Sequence, residues 1–229
     1  MHAAAPTARS RWRSRNSRMK RIPFLKSLVA CCAASVLLPL AADPMLSAQT
    51  KDSNAGSIEK GVYQDSALGF SYKIPFGWVE RTQAMQSSNS ASTSRVLLAV
   101  FERPPEATGE TINSGVVIAS ESASSYPKVK TASEYFETLA EATTAQGFTA
   151  ASDPHPFTVG ATQLIRGDFS KPRGKLTMYQ SSLVIIRKGS IVSFTFIGGD
   201  SDEVDELVRN LEMTSISLPK RSKSAPAHK

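Results

Sequence analysis

From Phe148 to Phe196 the chain passes through a succession of strand-like runs with no helical period between them. The runs are 148–151, 157–159, 162–169, 176–187 and 190–196. Strands that follow one another this directly pair as hairpins and meanders, so the stretch predicts an antiparallel sheet. Lys188-Gly189 reads as the tight turn between the last two. In 191–196, Val192, Phe194 and Phe196 alternate with Ile191, Ser193 and Thr195. That alternation predicts one face on the core and a more exposed face opposite.

The part of the chain before residue 148 adds more strands and one helix. Val62 to Asp65 is followed by a turn at Ser66-Ala67. Leu68, Phe70, Tyr72 and Ile74 then fall on one face of a second strand, which ends at Pro75-Phe76-Gly77-Trp78. Residues 82–95 are rich in Ser, Gln and Asn, show no period, and are expected to form a mobile surface loop. Residues 96–101 and 115–119 are short apolar strands, with a loop over 102–113.

Helical signals occur twice. Thr131 and Glu134 have the spacing of a capping box; Tyr135, Phe136, Leu139, Ala142 and Thr143 recur at helical spacing, and Gly147 is the stop. The second helix follows Gly198-Gly199, with Asp200 and Glu203 able to cap it and Val204, Leu207, Val208 and Leu211 as its stripe. Two helices among many sequential strands predict an α+β fold, an antiparallel β-sheet flanked by helices.

Charge and cysteine usage narrow the function classes. The formal net charge is +7. However, residues 1–48 hold eight of the 27 basic residues and one of the 20 acidic ones, leaving 19 of each sign in 49–229. A body this balanced has no broad field to gather phosphates, so nucleic acid is not an expected partner. Lys20, Arg21 and Lys26 precede a charge-free run from Ser27 to Ala42, and Leu46-Ser47-Ala48 suits cleavage. This is the layout of a signal peptide, with Met19 as its natural start and a secreted or periplasmic destination. Two alternatives stand beside it. Leu28-Val29-Ala30-Cys31 spells a lipoprotein box, with Cys31 as the lipidated residue. The Arg- and Ser-rich, acid-poor start has the composition of a transit peptide leading to a thylakoid lumen. The run is too short to predict a stable membrane span in the mature form. Both cysteines, Cys31 and Cys32, lie in this segment. The expected domain therefore has no disulfide, thiolate or cysteine-bound metal. The expected organisation is a targeting segment over 1–48, a linker over 49–60, the domain over 61–218 and a disordered basic tail over 219–229.

Tyr63, then Gly69-Phe70-Ser71-Tyr72-Lys73-Ile74-Pro75 and Gly77-Trp78, resembles the opening of PsbP-like domains. So does the order that follows: a helix at 131–146, a strand meander, and a last helix ending in 211–216. The resemblance spans roughly 61–217. It implies an α-β-α sandwich and a binding or assembly role, and it carries over no functional residue.

Candidate chemistry is sparse. His155, between Pro154 and Pro156, has no partner at catalytic or ligand spacing and reads as a loop residue. Asp200, Asp202 and Asp205 lack the glycine and distal glutamate of a calcium loop and read as helix-capping acids. These acids would also repel a phosphate at Gly198-Gly199. No metal or other cofactor is expected. Lys171-Pro172-Arg173-Gly174-Lys175 places three cations in an expected hairpin loop after Phe169. Lys171, Arg173 and Lys175 are thus candidate contacts for an anionic headgroup, polymer or protein patch. Trp78 is expected in the core, or at a partner site if exposed. The expected function is an exported, non-enzymatic binding or assembly domain with an envelope or lumenal protein partner. The alternatives are a small-ligand binder with a pocket between sheet and helix, and a hydrolase using carboxylates among Glu80, Glu102 and Asp168.

Overall fold

The computed structural model describes residues 56–88, 93–104 and 106–214. The predicted targeting segment, the tail over 219–229 and the residues beyond Thr214 in the predicted domain lie outside the described residues. Among the described residues twelve strands form two sheets, and every strand pair is antiparallel. The smaller sheet has the order β1 (Ser57–Glu59), β2 (Val62–Asp65), β3 (Phe70–Lys73), β12 (Leu211–Met213). The larger has the order β4 (Val79–Glu80), β5 (Arg95–Phe101), β6 (Gly115–Ser122), β11 (Ser190–Gly198), β10 (Leu176–Arg187), β9 (Thr162–Arg173), β7 (Thr149–Ala150), with β8 (His155–Val159) also on β9. The helices are α1 (Thr82–Ser88), α2 (Ala132–Ala145) and α3 (Ser201–Arg209). This is the expected α+β fold, an antiparallel sheet with helices on both faces.

The two faces of the large sheet bury different partners. Leu98, Ile118, Leu183, Val192, Phe194 and Phe196 face the small sheet and the apolar stripe of α3, formed by Val204, Leu207 and Val208. Phe70 meets Phe194 edge-on at 5.2 Å, and Tyr72 lies 6.0 Å from Phe196. Arg187 closes this seam from the far side: its guanidinium donates to the carbonyls of Leu68 (3.3 Å), Gly69 (2.8 Å) and Thr214 (3.0 Å). On the opposite face Val184, Ile191 and Phe169 pack against Tyr135, Phe136 and Leu139 of α2. Ile191 is therefore as buried as Val192, and the second face of β11 is not the exposed one its alternation predicts. Ile191 packs into the cluster beneath helix α2, which the sequence of the strand alone does not record. Gly167 makes the close approach possible, because a Cβ there would sit 2.5 Å from the Phe136 ring.

Local signals account for the helix ends. Thr131 accepts from the Glu134 amide while the Glu134 side chain returns to the Thr131 amide, a complete capping box. Asp200 caps α3 by accepting from Glu203 N at 2.7 Å. Glu203 itself reaches outside the helix, to Gly199 N and to Ser114.

Several expectations are corrected. Residues 82–88 form a helix, not a mobile loop. Strand β4 covers only Phe101 and Val100 of β5, so the rest of that strand's outer edge needs other partners. Helix α1 supplies them: Thr82 Oγ1 accepts from Ala99 N at 3.0 Å and Gln86 Oε1 accepts from Val96 N at 2.6 Å. Thr82 and Gln86 are one helical turn apart, which puts both on the strand side. The predicted linker over 49–60 contains β1, paired with β2 through a turn at Lys60-Gly61. Strand β9 continues to Arg173, so the expected hairpin loop over 171–175 shrinks to a turn at Gly174-Lys175. His155 opens β8, where it is exposed and bonded through Nδ1 to the Asp153 carbonyl.

Beneath α2 sits a buried carboxylate. Glu121, 5% exposed, faces the helix from β6 and accepts from the Tyr135 hydroxyl at 3.0 Å and from the Tyr126 hydroxyl. The two rings meet edge-on at 5.3 Å. Burial is the main cause that pushes both hydroxyls above the usual tyrosine range, and the Glu121 charge and hydrogen bonds add to it. Burial likewise raises Tyr63, with Asp65 adding, and raises Tyr72 despite an opposing bond from Asn210.

Two outcomes follow from these contacts. Thr82→Val and Gln86→Leu each strand an amide at the β5 edge. Each is expected to lower the urea midpoint by the equivalent of about 1 kcal/mol with an unchanged denaturant slope. The four tyrosines hold their protons more tightly folded than unfolded. Their contribution to stability is therefore complete below the unfolded value of about 10 and is lost as pH rises through and above it. A pH titration is expected to show their tyrosinate absorbance appearing together with loss of circular dichroism; ionisation of all four in the folded protein would contradict the packing.

Candidate functional site

The predicted cationic cluster is divided by the fold. Lys171 is half-buried: its Nζ donates to the Gln146 carbonyl at 2.6 Å, at the C-terminal end of α2, and lies 5.5 Å from the centre of the Phe148 ring. A cation there meets the negative end of a helix dipole, which is a structural role. Arg173 and Lys175 remain exposed at the hairpin tip, beside the exposed Leu176. The structure thus leaves two of the three predicted cations facing solvent.

Trp78 belongs to a different place. It packs half-buried against the main core and also lines an open cleft of about 700 Å³. The cleft lies where the chain crosses from the small sheet to the large one, between the β1–β2 turn, the end of β3 and the start of β4. Its apolar walls are Ile58, Val62, Ile74, Phe76, Trp78 and Val100; Lys60, Lys73, Glu80 and Asn210 supply the polar part. Backbone bonds fix the frame: Ile74 N donates to Gly61 O at 2.8 Å, and Lys73 N to Asn210 O at 3.0 Å. Trp78 N closes the Pro75–Trp78 turn on Pro75 O at 3.3 Å, with Gly77 at φ +82°. That is the conformation a type II turn requires at its third position. The turn pushes Phe76 out of the fold. Its side chain is fully exposed at 104%, and Ile58 beside the cleft is 47% exposed.

Sequence reasoning selects Trp78 and misses Phe76, Ile58, Lys60 and Lys73. The available signal was Phe76 itself, a large apolar residue between Pro75 and Gly77, where a turn leaves no neighbour to cover it. Lys60 and Lys73 are exposed, and neither forms an ion pair with a described residue.

Of the carboxylates considered for hydrolysis, Asp168 is kept apart from Glu80 and Glu102. Asp168 on β9 is four strand steps from β5, about 19 Å at ordinary strand spacing. It accepts from Arg166 Nε at 2.9 Å and from the Ser181 hydroxyl. Arg166 also donates to Asp205 on α3 at 2.5 Å and lies 5.1 Å from the Phe157 ring centre. Burial alone would lower the pKa of this guanidinium; the bonds to Asp205 and Asp168 outweigh it and raise it. The group thus stays charged and clamps α3 to the sheet. Glu80 Oε1 accepts from Thr82 N at 2.7 Å, at the start of α1, and Glu102 pairs with Arg103 at 3.4 Å. Among the described residues no group of three or more His, Cys, Asp or Glu could hold a metal ion. No helix among them is long and apolar enough to cross a membrane.

No protein-family model matches the sequence, and no curated protein matches it significantly. Several solved structures resemble it in part. The cyanobacterial PsbP (CyanoP) of Synechocystis sp. PCC 6803 is 13% identical, over 75% of this chain and 99% of that one, with a TM-score of 0.43. The Ran-binding protein Mog1p of Saccharomyces cerevisiae is 12% identical over 69% and 96%, with a TM-score of 0.41. LpqN of Mycobacterium tuberculosis, described as involved in cell envelope biogenesis, is 12% identical over 64% and 83%, with a TM-score of 0.39. At these scores the likeness carries no argument about role.

The division of the cations can be read in unfolding experiments. Lys171→Ala is expected to cost about 1 kcal/mol, through the lost bond to the helix end. Arg173→Ala and Lys175→Ala are expected to stay within about 0.5 kcal/mol of the parent. Equal losses at all three positions would contradict the assignment of Lys171 to the helix.

Proposed function

We propose that this chain is an exported, non-enzymatic binding domain that engages a macromolecular partner through the cleft at Trp78 and the protruding Phe76. The single observation that carries the reading is Phe76, a fully exposed aromatic held on a turn whose backbone is bonded on both sides. An exposed aromatic on a rigid support is the form of an interface anchor, because little conformational freedom is lost when it is buried. Ile58 and Trp78 extend the apolar surface, and Lys60 and Lys73 put charge at its rim. Export rests on the charge-free run from Ser27 to Ala42 behind Lys20, Arg21 and Lys26, with cleavage after Ala48. Under this reading the domain works in the periplasm or outside the cell.

The volume of the cleft favours a second reading. About 700 Å³ is within the range of small-molecule sites, and its walls are mainly apolar with a few polar groups. An amphiphilic ligand is its natural occupant in that case. It differs from the pocket between sheet and helix expected from sequence, because the cleft lies between the two sheets.

The test is affinity capture of the tagged full-length chain from its native cells in mild detergent, with mass spectrometry of the bait and its companions. A stoichiometric companion, another protein or an untagged copy of this chain, is expected, and Phe76→Ala is expected to reduce its recovery at least roughly tenfold. The bait's N-terminus is expected at Gln49. Capture that is indifferent to Phe76 would remove the cleft from the binding surface, and a bait retaining residues 19–48 would overturn cleavage.

A further inference from the structure

The cleft patch has three properties that together select its occupant. First, it contains both a knob and a hole. Phe76 stands clear of the fold at the rim of the cleft that Ile58 and Trp78 line. A two-fold axis passing beside such a patch places each knob over the other molecule's hole, which is the requirement of an isologous interface.

Second, the rim carries both signs of charge. Lys60 and Lys73 face solvent, and Glu59 and Glu80 are exposed beside them. These four side chains sum to no net charge. A strongly anionic surface or polymer would be attracted by the two lysines and repelled by the two glutamates, so the rim does not select it. A copy turned through a two-fold axis can meet lysine with glutamate twice over.

Third, the patch continues into an open strand edge. Among the described residues β1 has β2 as its sole neighbour in the sheet. Glu59 and Val62 flank the two-residue turn and so form its hydrogen-bonded pair, which turns the amide and carbonyl of Ile58 outward. An antiparallel edge is self-complementary about a two-fold axis, and pairing through Ile58 would join two four-stranded sheets into one.

We infer that the occupant of the cleft is a second copy of this chain, docked about a two-fold axis with Phe76 of each copy in the cleft of the other and β1 against β1. The inference rests on the reading of the cleft as a binding surface and names the partner.

The experiment measures the mass of the protein purified from its native cells by sedimentation equilibrium, over a concentration series reaching about 1 mM. A monomer–dimer equilibrium is expected. Phe76→Ala is expected to weaken it at least tenfold while leaving the melting temperature of the dilute protein unchanged, since Phe76 touches little in its own fold. Lys73→Glu, which opposes like charges across the axis, is expected to weaken it as well. Leu176→Ala removes an exposed apolar group elsewhere and is expected to leave it intact. A wild-type monomer throughout, or a dimer insensitive to Phe76→Ala, would overturn the inference. If the monomer still captures a different protein, or binds anionic vesicles, in a Phe76-dependent way, the second copy is wrong and the binding surface stands. If a monomer shows no Phe76-dependent binding at all, both readings fall.

Discussion

The packing of Phe70 and Tyr72 onto Phe194 and Phe196 holds the two sheets in register, and the rest of the molecule depends on it. The small sheet has four strands, none longer than four residues, too little to persist in isolation. Its buried aromatics give it a place on the large sheet, and Arg187 completes the attachment by gathering three carbonyls at the opposite end of the seam. Remove that seam and β1, the Lys60-Gly61 turn and the Pro75–Trp78 turn lose their positions together. The cleft exists because the chain must cross from one sheet to the other at this point, and a crossing strand cannot fill the angle between two sheets.

The polar groups inside the fold serve orientation. Arg166 joins β9, β10 and α3 through Asp168, Ser181 and Asp205. Glu121 joins β6 to α2 through Tyr135, and to the turn before it through Tyr126. Burying such groups is costly unless their bonds are made, so each network specifies one docking of its helix on the sheet. Neither network opens onto the cleft, and none of these residues lines it. These interior side chains are thus committed to architecture, while the cleft at the surface is walled mainly by apolar groups.

The strand meander and the starts of both capped helices were legible because their signals are local: alternation, a capping box and turn residues within a few positions of one another. The end of the second was not, since Leu211, expected on its stripe, pairs with Tyr72 in β12. Helix α1 was not legible, because its reason for existing is remote. Thr82 and Gln86 become helical partners for the amides of Ala99 and Val96 only when β5 lies beside them with part of its edge bare. The second face of β11 was misjudged for the same reason: Ile191 joins the cluster beneath α2, and Ser193 and Thr195 lie beside Ala119 and Val117 of β6, neighbours that only the assembled sheet supplies.

Composition and pattern alone determined the fold class, the absence of cysteine from residues 49–229, and the balance of charge there, since each is a property of residues counted or spaced along the chain. Tertiary structure alone decided which candidates share a surface. Lys171 was drawn to the end of α2 because unpaired carbonyls there attract a cation. Phe76 was left bare because a turn between two sheets offers it no neighbour, and Trp78, two residues on, was half covered by the core. The sequence places those two aromatics side by side; only the crossing of the chain between sheets separates an anchor from a wall.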